Sequence, residues 1–272
     1  MALFGRHVVT QIGVPGGPGI SLTDLRVRFN IKMSRTSTPD EAVITMYGVS
    51  RQTVSILRAE GVIISIFAGY SVPLQIFTGT PIADGVSLEK AGPERVLTIE
   101  AQDSGKLLKE TTLSISYATP VSAQQLVNEA VAALQLPPGV VTVDPSVIFT
   151  QGISFTGTAK DLLTQMSVAC AADWWVRDGV MYFLPADTET GEMAVEFSSL
   201  RGNLIGSPVR KADDKVEIIA LMEPSMRPGK PFRVVSEEVN GDFIAQDVEF
   251  VGDSGWENEF YVKAIGKPRM AA

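Results

Sequence analysis

The chain has 272 residues, 45% of them hydrophobic and 20% charged, with a formal net charge of −8. That length suits one large domain or two to three small ones, and the composition is that of an ordinary globular protein. No run approaches the ~18–20 apolar residues that cross a bilayer as a helix, and the acidic balance opposes general nucleic-acid binding through phosphates.

Residues 1–22 are rich in glycine and proline, including Gly13, Pro15, Gly16, Gly17, Pro18 and Gly19. Such a composition resists regular structure and predicts an arm or loop, either a disordered terminus or a docking strand for a neighbouring subunit. Arg6 and His7 stand where a secretion signal needs an apolar core, which argues against export by that route.

From Asp24 the pattern changes. Leu25, Val27, Phe29 and Ile31 alternate with Arg26, Arg28 and Asn30, which predicts a strand with one wet face. A polar turn over 33–40 leads to a second strand over Ala42–Tyr47. Ser50 then reads as the N-cap of a short helix over Arg51–Glu60, stopped by Gly61. Val62–Ala68 and Leu74–Thr78 follow as an apolar hairpin turning at Gly69, Tyr70 and Pro73. Val86–Glu89 and Glu94–Ala101 pair around Ala91-Gly92-Pro93, and the alternating Leu113, Ile115 and Tyr117 are placed to close this unit. Short strands at such spacing predict a barrel or sandwich.

Residues 119–188 differ in kind. Ser122 with Gln125, and Thr158 with Asp161, have capping-box spacing. The first opens a helix with Leu126, Val127, Ala130, Val131 and Leu134 on one stripe, ended by Pro137 and Pro138. The second places Leu162, Leu163, Met166 and Cys170 on its apolar side. Cys170, the only cysteine, excludes an intramolecular disulfide and reads as a small core residue. Trp174-Trp175-Val176-Arg177, then Asp178-Gly179, then Val180–Leu184 predict a hairpin. The chain afterwards returns to strands over Met193–Phe197, Lys215–Met222, Phe232–Ser236, Phe243–Val251 and Phe260–Ile265. Pro228-Gly229-Lys230-Pro231 opens the third of these, and a turn is expected at Asn240-Gly241. This later hairpin repeats the logic of Gly61–Ile82.

The fold class expected is therefore mainly β with an α+β insert. The divisions are an arm over 1–22, a first β-unit over 23–118, the insert over 119–188 and a second β-unit over 189–272.

No constellation supports an enzyme. Gly252-Asp253-Ser254-Gly255 resembles the nucleophile segment of trypsin-like proteases, but the only histidine is His7, in the wrong setting, and Trp256 stands where that family has glycine. Ser254 is left as the one candidate nucleophile of a remote hydrolase alternative. Gly152–Gly157 has its second glycine one residue too late for a nucleophile elbow. Gly105-Lys106 and Gly229-Lys230 lack the glycine of a phosphate loop. Asp213-Asp214 and Glu237-Glu238 have no His or Cys beside them and read as solvated turns, so no metal and no cofactor is expected. Trp174, Trp175 and Tyr182 are the residues of an alternative reading, a carbohydrate- or receptor-binding module, although neighbours on a strand face opposite ways and one tryptophan is expected in the core and the other at the surface.

Several stretches together resemble the baseplate hub proteins of tailed phages, the T4-type hub family, related to the hub portion of type VI secretion spike proteins. The first is Ala42–Tyr47 with Gly48-Val49-Ser50, then Gly69-Tyr70 and Ile76-Phe77-Thr78-Gly79. The second is Ile153–Leu163 leading into Trp174–Gly179 and Phe183-Leu184-Pro185. The third is Leu204–Pro208, Leu221–Pro224, Arg227-Pro228-Gly229 and Val248–Asp253. The likeness spans about residues 23–266. It implies two tail-tube-like β-barrels in one chain and a homotrimer, so that six barrels match a hexameric tail tube above while a trimeric central spike sits below. It further implies a tail tube or distal tube protein, the spike and other baseplate proteins as partners, DNA passing through a lumen without specific binding, and no stable membrane association. The location implied is the virion tail baseplate, with assembly in the host cytoplasm, and a contractile tail is favoured. The larger relatives' C-terminal extension and lysozyme-like segment have no counterpart in this sequence, so a pure adapter is expected. Asp and Glu are expected to dominate the lumen wall.

Overall fold

The structure, a computed structural model, describes residues 5–17, 19–91, 94–255 and 259–269. The chain begins with a short hairpin, β1 (His7–Gly13) and β2 (Gly19–Leu22). It continues through β3 (Val27–Ser34), β4 (Glu41–Tyr47), α1 (Arg51–Leu57), β5 (Ile63–Gly69), β6 (Leu74–Ala91) and β7 (Glu94–Gln102). The strand alternation expected in β3 is observed: Val27, Phe29, Ile31 and Met33 are buried. Ser50 caps α1, its Oγ accepting from the Thr53 N–H at 3.0 Å. The helix ends at Leu57 rather than Glu60 because its last turn tightens, the Ala59 N–H donating to the Ile56 carbonyl three residues back.

The middle of the chain holds α2 (Gly105–Glu110), β8 (Thr112–Tyr117), β9 (Val121–Ser122), α3 (Ala123–Leu134), β10 (Pro138–Val141), β11 (Ile148–Phe149), β12 (Ile153–Thr158), α4 (Ala159–Ala169), β13 (Ala172–Arg177) and β14 (Val180–Pro185). Both expected helix caps form, and at Thr158 the bonding is reciprocal with Asp161. The two helices pack a second core with Trp174, Met181 and Phe183. Leu113, Ile115 and Tyr117 do not close the first unit. Their strand, β8, pairs with β12, and their side chains lie on the core of the insert. Alternation showed that β8 is a strand, but it carried no information on the partner.

The last part contains β15 (Val195–Ser198), β16 (Val209–Arg210), β17 (Val216–Leu221), β18 (Pro231–Val235), β19 (Asn240–Asp253) and β20 (Phe260–Pro268). The turn expected at Asn240-Gly241 lies earlier, between Ser236 and Val239. Asn240 is already in the strand, and its side chain bonds both the N–H and the carbonyl of Ser236.

The strands outside the insert form one thirteen-stranded sheet in the order β16-β17-β20-β19-β3-β4-β7-β6-β5-β1-β2, with β18 also on β19 and β15 on β18. The order is a repeat. In chain order, β3 to β7 are arranged β3-β4-β7-β6-β5, and β16 to β20 are arranged β16-β17-β20-β19-β18. The hairpins β5–β6 and β18–β19 hold the same place in the two halves. The halves meet where Asp247–Asp253 of β19 pairs antiparallel with Arg28–Ser34 of β3. A single apolar core runs beneath both.

The irregular arm expected over 1–22 is replaced, in its described residues, by β1 and β2. Gly13 closes a ladder in which His7–Gly13 runs antiparallel to Ile63–Gly69, burying Val8, Thr10 and Ile12. Non-local pairing with an apolar strand outweighs a local composition that disfavours regular structure. Among the described residues, no helix is long and apolar enough to cross a membrane.

Candidate functional site at the seat of the insert

The Asp178-Gly179 turn joins β13 to β14 with both residues at positive φ, +50° and +73°. This is the backbone of a two-residue hairpin matched to strand twist, and it explains the glycine. The turn is wedged between the two halves of the sheet. The Gly179 N–H donates to Asp103 Oδ2 at 3.3 Å, and Gln75 Nε2 donates to Asp178 Oδ1 at 3.2 Å. Arg227 Nε lies 3.7 Å from Asp178 Oδ2, while its other nitrogens donate to the carbonyls of Pro224, Met226 and Gln75. Gln75 and Asp103 belong to the first half and Arg227 to the second, so one turn fastens both.

Beside it, Arg177 donates to the Pro228 carbonyl at 3.2 Å, the Tyr182 hydroxyl at 2.8 Å and Glu192 at 3.2 Å. Lys230 reaches the Ser225 carbonyl and lies 3.7 Å from Glu192. Arg35, from the β3–β4 turn, donates to the carbonyls of Pro185 and Thr188. Its Nε is 2.9 Å from Asp173 Oδ2, an ion pair rather than an aligned hydrogen bond. Burial lowers the pKa of Arg35, Arg227 and Lys230, partly countered by the carboxylates they face. Burial also raises Asp40 well above the ordinary carboxylate range, assisted by the neighbouring charge of Asp103, and raises Asp103 itself. Removing one member of such a buried ionic group leaves its partners uncompensated, so each of these residues is costly to replace. The arrangement is chemically suited to holding the insert in one orientation.

Of the residues of the alternative carbohydrate- or receptor-binding reading, both tryptophans are buried and Tyr182 is half-buried. Trp174 and Trp175 are 2% and 1% exposed. Alternation holds, with Trp174 in the core of the insert, but the opposite face is covered by the sheet. There Trp175 stacks on Tyr182 at 5.2 Å and 3° between planes, with the guanidinium of Arg35 on it and that of Arg177 over Tyr182. The strand pattern could not reveal this because the covering residues are distant in sequence.

Ser254 is likewise part of the scaffold: its Oγ accepts from the Val27 N–H at 2.9 Å and donates to the Leu25 carbonyl. Asp253 beside it is fully buried and bound by Arg26 at 2.7 Å. Asp213 and Asp214 are exposed turn residues at positive φ, and Glu237 and Glu238 occupy the β18–β19 turn. Among the described residues, no group of three or more His, Cys, Asp or Glu is arranged to hold a metal. Cys170 is half-buried at the end of α4, where burial pushes its thiol pKa up. Trp256 lies outside the described residues.

No protein-family model matches the chain, and no curated protein matches it by sequence. Solved structures do. A tail protein from Neisseria meningitidis superposes with a TM-score of 0.67 at 10% identity, covering 97% of each chain. The 43 kDa tail protein of prophage MuSo2 from Shewanella oneidensis gives 0.66 at 9% identity, covering 97% of this chain and 98% of that one. The fold is that of phage tail proteins. An Escherichia coli component of the type VI secretion system, described as structurally similar to the T4 tail proteins gp27 and gp5, gives 0.58 at 10% identity over 90% of this chain and 73% of its own. The likeness to this group expected from the sequence therefore holds at the level of the fold. The chain is mainly β with an α+β insert, as expected.

Proposed function

We infer that this protein is a structural component of a phage tail, and more specifically a baseplate hub acting as a homotrimeric adapter. In this reading it joins a hexameric tail tube or distal tube protein to a trimeric central spike and continues the tail lumen, through which DNA passes without specific binding. It acts in the virion baseplate beside other baseplate proteins, after assembly in the host cytoplasm, and not as an enzyme.

The observation that carries this reading is the repeated strand order, β3-β4-β7-β6-β5 and β16-β17-β20-β19-β18, in one chain with the tail-protein fold. Three copies of a chain with two like units present six of them, the number a sixfold tube meets, while the chain itself keeps threefold symmetry. The rigid seating of the insert supports the same reading, since an adapter must hold its parts in register. The carbohydrate-binding alternative finds no support in the burial of Trp174 and Trp175.

Native mass measurement tests it. A trimer, and capture of the purified tube and spike proteins, is the expected result; a strict monomer without affinity for either overturns it.

A further inference from the structure

The joint between the two halves implies where the next copy docks. In β19, one edge pairs with β20 while the other pairs first with β18, over Asn240–Ile244, and then with β3, over Asp247–Asp253. In the first half the equivalent strand is β6. Leu74–Gly79 pairs with β5, and Val86–Ala91 pairs with β7 along one edge. Along its opposite edge, Val86–Ala91 has no strand partner among the described residues. Backbone groups of that edge are thus a template for another strand.

The side chains agree. Val86 and Leu88 hold the places that Val248 and Phe250 hold in β19, as their cross-strand partners Ile99 and Leu97 correspond to Ala264 and Val262. Val248 and Phe250 are 1% and 0% exposed beside β3, whereas Leu88 is 39% exposed. A core-facing leucine is left uncovered where the repeat lacks its flanking strand.

The strand that would supply the cover is identified by the same equivalence. The counterpart of β3 is β16, which pairs with β17 alone and forms one end of the sheet, the other end being β2. The residues of β16 are exposed, Val209 at 49% on the face of its partner Glu217 and Arg210 on the face of the buried Val216. In the register of the β3–β19 joint, Leu88 lies opposite Arg210, whose aliphatic stem would cover it, and Glu89 lies opposite Val209; all four are exposed in the single chain. By contrast the outer edge of β15 is already sealed: the side-chain oxygen of Asn203 accepts from the Ser198 N–H at 2.8 Å and its amide donates to the Glu196 carbonyl at 2.9 Å.

We propose that the free edge of β6 at Val86–Ala91 pairs with β16 of a second copy of this chain, repeating between copies the β3–β19 joint found within one. This rests on the self-assembling hub reading and names the strands that carry the assembly.

Four double variants in a Cys170→Ser background test it, each pairing a cysteine at Leu88 or Glu89 with one at Val209 or Arg210, so that both faces and a one-residue shift are sampled. Directly paired strands bring Cα atoms to about 4.5–5.5 Å, within disulfide reach. Oxidation of at least one double variant is expected to give covalent trimers on a denaturing gel, while the single variants stay monomeric there. Leu88→Asp is expected to weaken self-association about tenfold or more, with circular dichroism unchanged and Tm unchanged at dilutions where both proteins are monomeric, because it removes a leucine from the joint and not from the isolated fold. A protein trimeric by mass in which none of the four links, or in which Leu88→Asp leaves association intact, overturns the joint and leaves the hub reading standing. A monomer at every concentration overturns both.

Discussion

The guanidinium carbon of Arg35 sits 5.0 Å from the ring centroid of Trp175, joining a turn of the sheet to a strand of the insert. The same guanidinium satisfies the carbonyls of Pro185 and Thr188. Arg35→Ala leaves these acceptors unpaired and uncovers the indole, so a loss of about 2–4 kcal/mol is expected in denaturant unfolding. Tryptophan emission should shift to the red. Arg35→Lys keeps the charge but not the planar fork, and should recover less than half of the loss.

Asp40 and Asp103 give the junction a pH dependence. Burial holds both carboxyls protonated to higher pH in the folded chain than in the unfolded one. Their stabilising contribution is full below the ordinary carboxylate range and is lost as pH rises through the raised folded-state values. Asp40→Asn retains an acceptor for the Ser34 N–H, which now lies 3.2 Å from Asp40 Oδ1. The variant should melt above the parent at pH 8, and the gap should close as pH falls toward 4. An equal gap at both values would remove Asp40 as the source.

The joint between halves tolerates no added side chain at Gly252. A Cβ there would lie 2.2 Å from Phe29 Cζ, directly across from it on β3. Phe29 is 3% exposed and packs edge-on with Phe260, so its ring has little room to turn. Gly252→Ala is expected to cost about 1–3 kcal/mol by overpacking. Faster hydrogen exchange at the β3–β19 ladder, with the insert unaffected, would place the damage.

Asn203 acts as a substitute strand for β15. Asn203→Ala removes two hydrogen bonds and should cost about 1–2 kcal/mol. It also opens an edge for unwanted pairing, so light scattering on mild heating should rise earlier than for the parent.

Much of the fold is legible locally. Period-two alternation locates β3 and β4, Ser50, Ser122 and Thr158 mark three helix starts, and Asp178-Gly179 marks the hairpin that becomes the wedge. What stayed hidden depends on partners far away in sequence. Gly13 and its neighbours read as loop because β1 owes its structure to β5. The alternation at Ile115 and Tyr117 marks a strand but not its partner, which lies across the insert at Ile153–Thr158. Alternation puts one of Trp174 and Trp175 at the surface, yet both are buried, because nothing within their strand announces Arg35 from the β3–β4 turn. The buried basic residues Arg177, Arg227 and Lys230 resemble ordinary surface charges in sequence, and only the carbonyls and carboxylates gathered around them explain their burial.

Because β19 belongs to the ladders of both halves, the angle between those halves is set by sheet twist and by the irregularity near Gln246 rather than by a hinge. A chain built this way cannot relax its curvature one half at a time. If successive copies join head to tail by a similar ladder, a few degrees at each seam separate a closed ring from an open spiral. The register shift around Gln246 then helps decide whether assembly stops at a fixed number of copies or runs on into a fibre.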